Sequence, residues 1–572
     1  MTMEHSPYRL AEELELYLGD PADPRSPFSD AASASLDARE EFPAEICRLL
    51  DDWGLPDYYV PAPVGGRLRD YEHALQLLRT VARRDLTVAV AHGKTYLGAV
   101  CVWIAGSAEQ ATRLGADIRA GVPVALGLTE RAHGSDLLAG EVEAVPDGPG
   151  AWRVSGEKWL INNATRGSVL TLLARTGPDG GPRGFSVLLA DKRELPPGSY
   201  RHLPKIPTHG IRGADISGIA LHRARLPRTT VVGTEGGGIE TVLKALQLTR
   251  TMCASLSLGA ADHGLRLALG FAAERRLYGR PLAELPQARH VLASAAADVL
   301  THEALSLVAA RLVHTATGEL SVVSAVTKYL VPTGTEELLR ELAALLGARA
   351  FLAGADHYGL FEKVERDHRI VSLFDGNTLV NLNSLVNQFR SLVRHWGRRP
   401  ADEPVAACDL SVPLPEFDAR GLSLLARYGS SVLGALPAWV ARAEKSHPAL
   451  AAAARRLLTV TEKVHKEMAA PWDLAAGVPY EAFEAARRYC LCFAGAACLG
   501  LWLHNRLVAT DGVWRDGVWL RAALDRLLVR LGEQQGPADP EAYERLLDEA
   551  YEAGRAGRLF ALLRLGLARE TA

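Results

Sequence analysis

The sequence lacks any marked excess of one charge. It has 64 Lys and Arg against 67 Asp and Glu, a formal net charge of −3, and its hydrophobic share of 48% is ordinary for a globular protein. A protein that binds nucleic acid or an anionic membrane through its overall charge needs a basic excess. The composition therefore argues against a dedicated nucleic-acid binder.

Cysteine is scarce, and the first residues do not predict a secretory signal. The seven cysteines are odd in number and include no C-x-x-C pair, a pattern typical of reduced thiols in the cytoplasm. The first thirty residues lack a basic stretch followed by an apolar core. No H-E-x-x-H and no Cys/His cluster at zinc spacing occurs. We therefore predict a cytoplasmic location and no metal site.

Motifs of several common enzyme classes are also absent. No G-x-G-x-x-G follows a strand, and neither G-x-x-x-x-G-K-[ST] nor a G-x-S-x-G elbow occurs, which disfavours Rossmann enzymes, P-loop enzymes and serine hydrolases. The longest apolar run, Cys490–Leu503, is shorter than the roughly 18 residues of a membrane span. It predicts a buried helix, with a helix on a membrane surface as the alternative.

The pattern of residues changes along the chain in a way that predicts an α+β fold. Helical spacing over 1–124 gives way to short alternating runs and turn signals over 125–236. Long helical patterns follow over 237–395, and a further Ala/Leu/Arg-rich helical region covers 396–572. We predict an N-terminal helical domain, a middle antiparallel β domain, a four-helix bundle and an extra helical C-terminal domain, with a linker at Arg398–Pro415.

Two polar segments of the β region are candidates for ligand contacts. Leu126–Asp136 contains Thr129 and Ser135, whose hydroxyls and neighbouring backbone N–H groups suit a polar ring or a pyrophosphate. Val154–Ala164 contains Trp159, which would either belong to the core or wall a planar cofactor. A plain polar turn and a core tryptophan stay open as alternatives.

A third candidate is an arginine on the apolar stripe of a helix. Arg250 lies at helical spacing with apolar neighbours on both sides, namely Ile239, Leu243, Leu246 and Cys253. A buried guanidinium needs an anionic partner, because an unpaired buried charge is costly. A structural ion pair would satisfy the same need.

The fourth candidate is the pair Asp375–Gly376, which follows the apolar run Ile370–Phe374. A carboxylate at the edge of an apolar environment becomes a stronger base, while a nearby arginine would act in the opposite direction. A turn built on Asp-Gly is the alternative.

The order of these segments resembles the acyl-CoA dehydrogenase family of flavoproteins over about residues 40–392. The resemblance rests on motifs spread along this range, namely PAPVGG, LTERAHGSD, SGEKWLINNA, IRGADISGIALHRARLP, the helix with Arg250, ERRLYGRPLAELP and RDHRIVSLFDGN. It implies FAD extended between the β domain and the bundle, and removal of two hydrogens from an acyl thioester. By this resemblance Asp375 is the base that takes the α-proton.

The resemblance also implies roles for other residues. Thr129 and Ser135 would bind the flavin and its phosphates, Asn162 would contact the flavin, and Arg275 would reach the cofactor of a neighbouring subunit. Arg250 would lie close to the catalytic carboxylate. Substrate binding would fall to Ser135, Arg250 and Gly376.

The implied partners are an acyl-CoA or acyl-carrier-protein thioester, an electron-transfer flavoprotein or similar acceptor, and further copies of the chain in a homodimer or homotetramer. The sequence departs from the family in several places. The usual base is Glu, and the alternative base position on the helix holds Thr249. Leu160 stands where the family has Trp, and the glycine run that usually contacts the second cofactor is reduced to ALLGARAF, Ala344–Phe351.

Three alternatives to a dehydrogenase remain at the level of sequence. A flavin oxidase or monooxygenase would use the same scaffold, and a degenerate non-catalytic member would act as an interaction scaffold. A nitroalkane-oxidase-like activity ranks lower, because that relative has an arginine where Leu382 stands. The helical extension would dimerise, cover the cleft or dock a carrier protein.

Overall fold

The computed structural model describes residues 6–178, 180–354, 359–398, 404–472, 477–507 and 512–568. Contacts within the chain define two compact units, one made of Met1–Ala34, Asp70–Arg84 and Arg250–Ala572, and the other of Ser35–Arg69 and Asp85–Thr249. We refer to them as the helical unit and the mixed unit.

The helices and strands occur in the order that the sequence predicts. The helices are α1 (Arg9–Leu18), α2 (Asp30–Ala38), α3 (Ala44–Trp53), α4 (Tyr71–Arg84), α5 (Leu86–Ala105), α6 (Ala108–Arg119), α7 (Gly238–Met252), α8 (Ala254–Glu274), α9 (Pro286–Thr315), α10 (Leu320–Leu346), α11 (Leu360–His368), α12 (Thr378–Val386), α13 (Phe389–His395), α14 (Val405–Cys408), α15 (Ser431–Ser446), α16 (Pro448–Met468), α17 (Tyr480–Asn505), α18 (Val518–Arg530) and α19 (Pro540–Arg555). The strands are β1 (Val124–Gly127), β2 (Glu143–Pro146), β3 (Ala151–Asn162), β4 (Val169–Arg175), β5 (Phe185–Asp191), β6 (Tyr200–Leu203), β7 (Ile216–Pro227), β8 (Val231–Val232), β9 (Arg276–Leu277) and β10 (Arg280–Pro281).

The mixed unit holds a sheet in the order β6-β7-β3-β2-β4-β5-β8, with β1 beside β4. Most pairs are antiparallel as predicted, but β1 and β2 both run parallel to β4, so the sheet is mixed. β2 lies between β3 and β4. It is antiparallel to β3 and parallel to β4, because the chain direction reverses from β2 to β3 and again from β3 to β4.

The helical unit contains the predicted bundle from Arg250 onward, while residues 237–249, which include most of α7, belong to the mixed unit. Most of α9 and the first half of α10 are buried, which explains why these stretches show little polar periodicity. By length and composition alone α5 and α9 are long and apolar enough to cross a membrane, but 72% and 94% of their most apolar windows are buried inside the protein. Such burial is what the core helices of a globular protein show.

The extension is helical, as predicted, and its apolar run is a core helix. Cys490–Leu503 lies within α17, and nearly all of its side chains are buried. All seven cysteines are thiols outside any disulfide. Residues 404–415, part of the predicted linker, are not an exposed tether, because Ala407, Cys408 and Leu410 are buried. Residues 399–403 of that stretch lie outside the described part.

A buried arginine on α4 joins several parts of the helical unit. Arg79 donates to both carboxylate oxygens of Asp262, at 2.7 and 2.9 Å, and to Glu303 at 2.6 Å. Glu303 also accepts from the hydroxyl of Tyr8 and, at 3.0 Å, from the backbone N–H of Leu562. Arg79 and both acidic side chains are almost completely buried, so each charge depends on the others.

Replacing Arg79 with Met should lower the free energy of unfolding by about 3–5 kcal/mol, because two buried carboxylates lose their cation. The exposed pair Arg9–Glu13 on α1 supplies the control, since Arg9→Met should change stability by less than about 1 kcal/mol. Urea unfolding of both variants measures the difference. Equal effects of the two substitutions would contradict the assigned role of Arg79.

A second link joins the bundle to the extension and depends on pH. Glu319, just before α10, accepts from the N–H of Ser431 at 2.9 Å and from its hydroxyl at 3.1 Å. Burial raises the pKa of Glu319 from 4.5 to about 7, although the two hydrogen bonds act in the opposite direction. The folded protein therefore holds this proton at pH values where the unfolded chain has lost it.

The stability that this proton contributes is complete below the unfolded pKa of 4.5 and is lost as pH rises through about 7. Glu319→Gln should remove this decline, so its stability relative to wild type should grow between about pH 5 and about pH 8. Urea midpoints across that range test the expectation, with Glu13→Gln as the exposed control. Parallel pH profiles for wild type and Glu319→Gln would refute it.

Candidate functional site

The predicted base lies in a left-handed turn at the start of α12. Asp375 has φ +55° and Gly376 has φ +95°, a conformation that costs a non-glycine residue about 1–2 kcal/mol. Asn377 then caps α12, its side chain accepting from the N–H of Val380 at 2.9 Å. The turn thus ends abruptly in a capped helix, and the half-buried carboxylate of Asp375 stands at that junction.

Arg250, near the end of α7, reaches this turn. It is 7% exposed, which confirms the buried position predicted from the apolar stripe. Its Nε donates to the carbonyl oxygen of Asp375 at 2.8 Å. Burial lowers the pKa of Arg250, while the carboxylate charge of Asp375 acts in the opposite direction. The resemblance implied a position close to the catalytic carboxylate, and this hydrogen bond runs to the backbone oxygen of Asp375.

Cys253 contacts the carboxylate itself. Its Sγ donates to Oδ2 of Asp375 at 3.3 Å, and the cysteine is buried. The apolar stripe had included Cys253, but nothing in the sequence linked it to Asp375. The thiol of Cys253, at the junction of α7 and α8, therefore orients the carboxylate of Asp375. The guanidinium of Arg250, from the same segment of chain, holds the backbone of Asp375.

Lys328 on α10 is a site residue that sequence reasoning missed. Its buried Nζ donates to the carbonyl of Val371 at 2.6 Å and to that of Gly376 at 3.3 Å, and it lies 5.5 Å from the ring centre of Phe374. Asn381 adds a bond from Nδ2 to the carbonyl of Gly376 at 2.8 Å. The only signal was a lone lysine in the apolar stretch LSVVSAVTKYLVP.

Apolar side chains flank the carboxylate in the sequence and reach the surface. Leu373 and Leu379 are 59% and 58% exposed, and Phe374 is half-buried. A ligand that covers exposed apolar side chains of this size removes them from water, which favours binding. A held carboxylate with an apolar rim suits proton abstraction from a mostly apolar substrate.

The second group of predicted residues lies in the mixed unit, where β1 and β3 meet. The backbone N–H of Trp159 donates to the carbonyl of Thr129 at 2.9 Å. Asn162 donates from Nδ2 to the carbonyl of Val90 at 3.3 Å. The buried Nε1 of Trp159 and Oδ1 of Asn162 have no hydrogen-bond partner among the described residues. Buried polar atoms without a partner in the protein are candidates for contact with a ligand.

Leu160 is the extra residue of a β-bulge. Trp159 pairs with Gly218 and Ile161 pairs with Ser217, so Leu160 has no partner on β7, and its φ is +56°. The guanidinium of Arg131 lies 4.8 Å above the ring of Trp159. The bulge lies directly after Trp159, and one extra residue changes the side to which a strand presents its side chains.

Three further residues of the prediction make none of the contacts described above. Ser135 is exposed in the loop after β1, and Arg275 is exposed just beyond α8, whose 21 residues span roughly 30 Å from Ala254. Thr249 is buried, with its hydroxyl 3.4 Å from the carbonyl of Leu246.

The structure thus divides the predicted site residues into two groups. It brings Arg250, Asp375 and Gly376 together in the helical unit. In the mixed unit it places Thr129 beside the strand that carries Asn162. The roles of all these residues toward flavin and substrate stay predictions.

Comparison with known proteins gives a consistent family assignment. Three domain models match in order: the acyl-CoA dehydrogenase N-terminal domain over residues 29–121, the middle domain over 125–224 and the C-terminal domain over 236–389. Together they cover more than half of the chain and include Asp375, Arg250, Thr129, Asn162 and Arg275.

Individual relatives agree. The probable acyl-CoA dehydrogenase fadE25 of Mycobacterium leprae is 25% identical over 349 residues, which covers 61% of this chain and 88% of that protein. The human mitochondrial short-chain specific acyl-CoA dehydrogenase is 25% identical over 367 residues, covering 63% and 86%. The crystal structure of an acyl-CoA dehydrogenase complexed with FAD from Bacillus anthracis has a TM-score of 0.71 at 17% identity and covers 98% of this chain and 96% of its own. The similarity of fold therefore includes the helical extension.

The contact between Gly376 and Arg250 is testable. A Cβ on Gly376 would lie 2.6 Å from Nη2 of Arg250, and φ is already unfavourable, so Gly376→Ala should displace the guanidinium. Gly279 has a similar φ of +81° with no atom within 4 Å, which makes Gly279→Ala the matched control. Gly376→Ala should be less stable than this control by about 1–3 kcal/mol in urea unfolding. A control that loses as much stability would show that φ alone matters.

Proposed function

Because this chain belongs to the acyl-CoA dehydrogenase family, an FAD-dependent group of oxidoreductases that act on CH–CH bonds, we propose that it oxidises an acyl thioester at its α and β carbons with Asp375 as the base. The observation that carries this proposal is the carboxylate of Asp375. It is half-buried and bonded to Cys253, and the exposed leucines Leu373 and Leu379 adjoin it. Such a group removes a weakly acidic proton in a site from which substrate excludes water.

The residues of the mixed unit fit the flavin. Nε1 of Trp159 offers a donor and Oδ1 of Asn162 an acceptor, and neither is satisfied within the described protein. The hydroxyl of Thr129 offers either role. These are the polar groups that would hold the ring, whose chemistry when bound is to accept the β-hydrogen as hydride. Ser135 would contribute to the phosphate or substrate side, and Arg275 to the cofactor of a neighbouring subunit.

The residues around Asp375 prepare its carboxylate to accept the α-proton of the substrate. The carboxylate takes the α-proton, and the thiol of Cys253, bonded to Oδ2, restricts its orientation. The cation of Arg250 offsets the charge of the carboxylate before transfer, which makes the ionised base tolerable in this apolar setting. Arg250 and Lys328 also hold the backbone of the turn, so that the carboxylate does not have to reorganise during the reaction.

The substitution of Asp for the usual Glu shortens the reach of the base. One methylene is about 1.5 Å, enough to change the rate of proton transfer strongly. We infer that the substrate comes closer to the turn at residues 375–376 than it would in a site with Glu. The lack of a side chain on Gly376 permits that approach.

We further propose a thioester of coenzyme A or of an acyl carrier protein as substrate, an electron-transfer flavoprotein or similar acceptor, a homodimer or homotetramer, and a cytoplasmic location. The first follows from the family, whose relatives are named acyl-CoA dehydrogenases. The oligomer follows from the predicted role of Arg275 toward a second subunit. The location follows from the reduced cysteines.

The proposal predicts the behaviour of the visible flavin spectrum under anaerobic conditions. Adding saturated acyl-CoA thioesters of increasing chain length should bleach the wild-type flavin band for one length class. Asp375→Asn should keep the flavin and the fold but lose reduction by about a thousandfold or more, since an amide takes no proton at neutral pH. Asp375→Glu, one methylene longer, should keep measurable reduction with a changed chain-length preference.

Each alternative has its own result in the same experiment. Unchanged reduction in Asp375→Asn would remove Asp375 from the role of base. A flavin band that no acyl-CoA bleaches would point to carrier-protein thioesters, which a panel of carrier-bound acyl groups then tests. Rapid reoxidation in air would identify an oxidase, and absence of flavin from the purified protein would favour the non-catalytic scaffold.

A further inference from the structure

A cavity of about 350 Å³ lies in the helical unit, outside the groups described above. One wall is a face of α8, the second is the end of α19, and the third is the segment that follows α19, residues 558–567. We call it the tail cavity. Its volume is at the lower end of the range of small-molecule sites.

The α8 wall is a regular helical face. Its cavity-lining residues recur mostly at spacings of three and four, which places them along one side of the helix, namely Asp262, Leu265, Arg266, Leu269, Gly270 and Ala273. From the other walls come mainly apolar side chains, among them Ala550, Leu559, Phe560 and Leu567. The surface of the cavity is therefore predominantly apolar, with a few polar groups in defined places.

The segment that closes the cavity is held in position. The backbone N–H of Leu562 donates to Glu303 at 3.0 Å, and the N–H of Gly566 donates to Glu12 at 2.7 Å. The indole of Trp514 donates to the carbonyl of Leu562 at 2.5 Å. Because these bonds anchor both halves of the segment, the cavity is part of the folded structure and need not form on binding.

Arg266 brings a positive charge to this apolar cavity. The side chain of Arg266 is accessible to solvent. The protein around it still removes part of its hydration, and this desolvation lowers the pKa of the guanidinium. The negative charges of Asp30, Glu15 and Asp20 raise the pKa of Arg266 from a distance. Among the described residues its guanidinium makes no hydrogen bond and no ion pair. Glu15 is already bonded to Arg83 and Arg84.

The other polar groups of the cavity leave room for an anion. Both carboxylate oxygens of Asp262 accept hydrogen bonds from Arg79, so the guanidinium of Arg79 offsets the negative charge of Asp262. The hydroxyl of Tyr551 is buried and has no hydrogen-bond partner among the described residues. Arg558 also lines the cavity. An unpaired guanidinium and an unpaired hydroxyl are both donors to a carboxylate.

We propose that the tail cavity binds an amphipathic carboxylate, a free fatty acid of medium chain length, with its head group on Arg266 and its chain along the apolar walls. Charge complementarity favours an anion over a neutral or cationic amphiphile, and the apolar lining favours a chain over an inorganic anion. This site is separate from Asp375, and the proposal does not rest on the dehydrogenase function.

Binding of decanoate to the full-length flavin-loaded protein tests the proposal by titration calorimetry. Arg266→Gln should weaken decanoate binding by about tenfold or more, because it removes a charged hydrogen-bond donor. Decanol and decyltrimethylammonium, which have the same chain, should bind weakly and equally to wild type and Arg266→Gln. Arg420→Gln, which replaces an exposed arginine paired with Asp418, is the matched control and should bind decanoate like wild type.

A second variant tests the chain rather than the head group. Ala273 is exposed on the α8 wall, so Ala273→Trp should fill the cavity and abolish decanoate binding without disturbing the core. Decanoate binding that survives both Arg266→Gln and Ala273→Trp would place the ligand elsewhere and overturn the proposal. Equal affinity for decanoate and decanol would also overturn it, since the cavity would then be a simple apolar pocket.

Discussion

The helical unit depends on one constraint: a cation buried in the bundle must find oxygen atoms, and many of those oxygens are backbone carbonyls of loops. Arg250 and Lys328 take theirs from the turn at residues 371–376. Arg311 takes three carbonyls from the segment 406–412, which leads into the extension. These hydrogen bonds fix the backbone of the turn and of the short segment that begins in α14.

This arrangement explains how a short, strained turn can position a base. Two successive left-handed residues are unstable alone, and they persist where surrounding bonds determine the backbone. Here the bonds come from Arg250 on α7, Lys328 on α10 and Asn381 on α12, and each of them ends on a backbone carbonyl of the turn. The carboxylate of Asp375 accepts from the thiol of Cys253, and the exposed leucines beside it form an apolar surface that a ligand could cover.

The order of helices and strands could be predicted from sequence because periodicity is local, and the buried position of Arg250 could be predicted from its stripe. The partners of Lys328 could not, since they are carbonyls more than forty residues away that carry no side-chain signal. The parallel pairing of β1 and β2 with β4 could not be predicted for a related reason, because local alternation predicts strands but not their neighbours. Leu160 appeared in the sequence as a departure from the family motif, and the register of β3 and β7 was needed to show that it is the extra residue of a bulge.

Glu303 has a consequence for the order in which the protein assembles during synthesis. Its carboxylate binds Tyr8, which lies 295 positions before it, and the amide of Leu562, which lies 259 positions after it. While the ribosome is still making the second half of the chain, Tyr8 is available to Glu303 and Leu562 is not. A bundle that folds before residue 562 has been made therefore carries a buried carboxylate with one of these donors still missing, and the arrival of the segment around Leu562 supplies it.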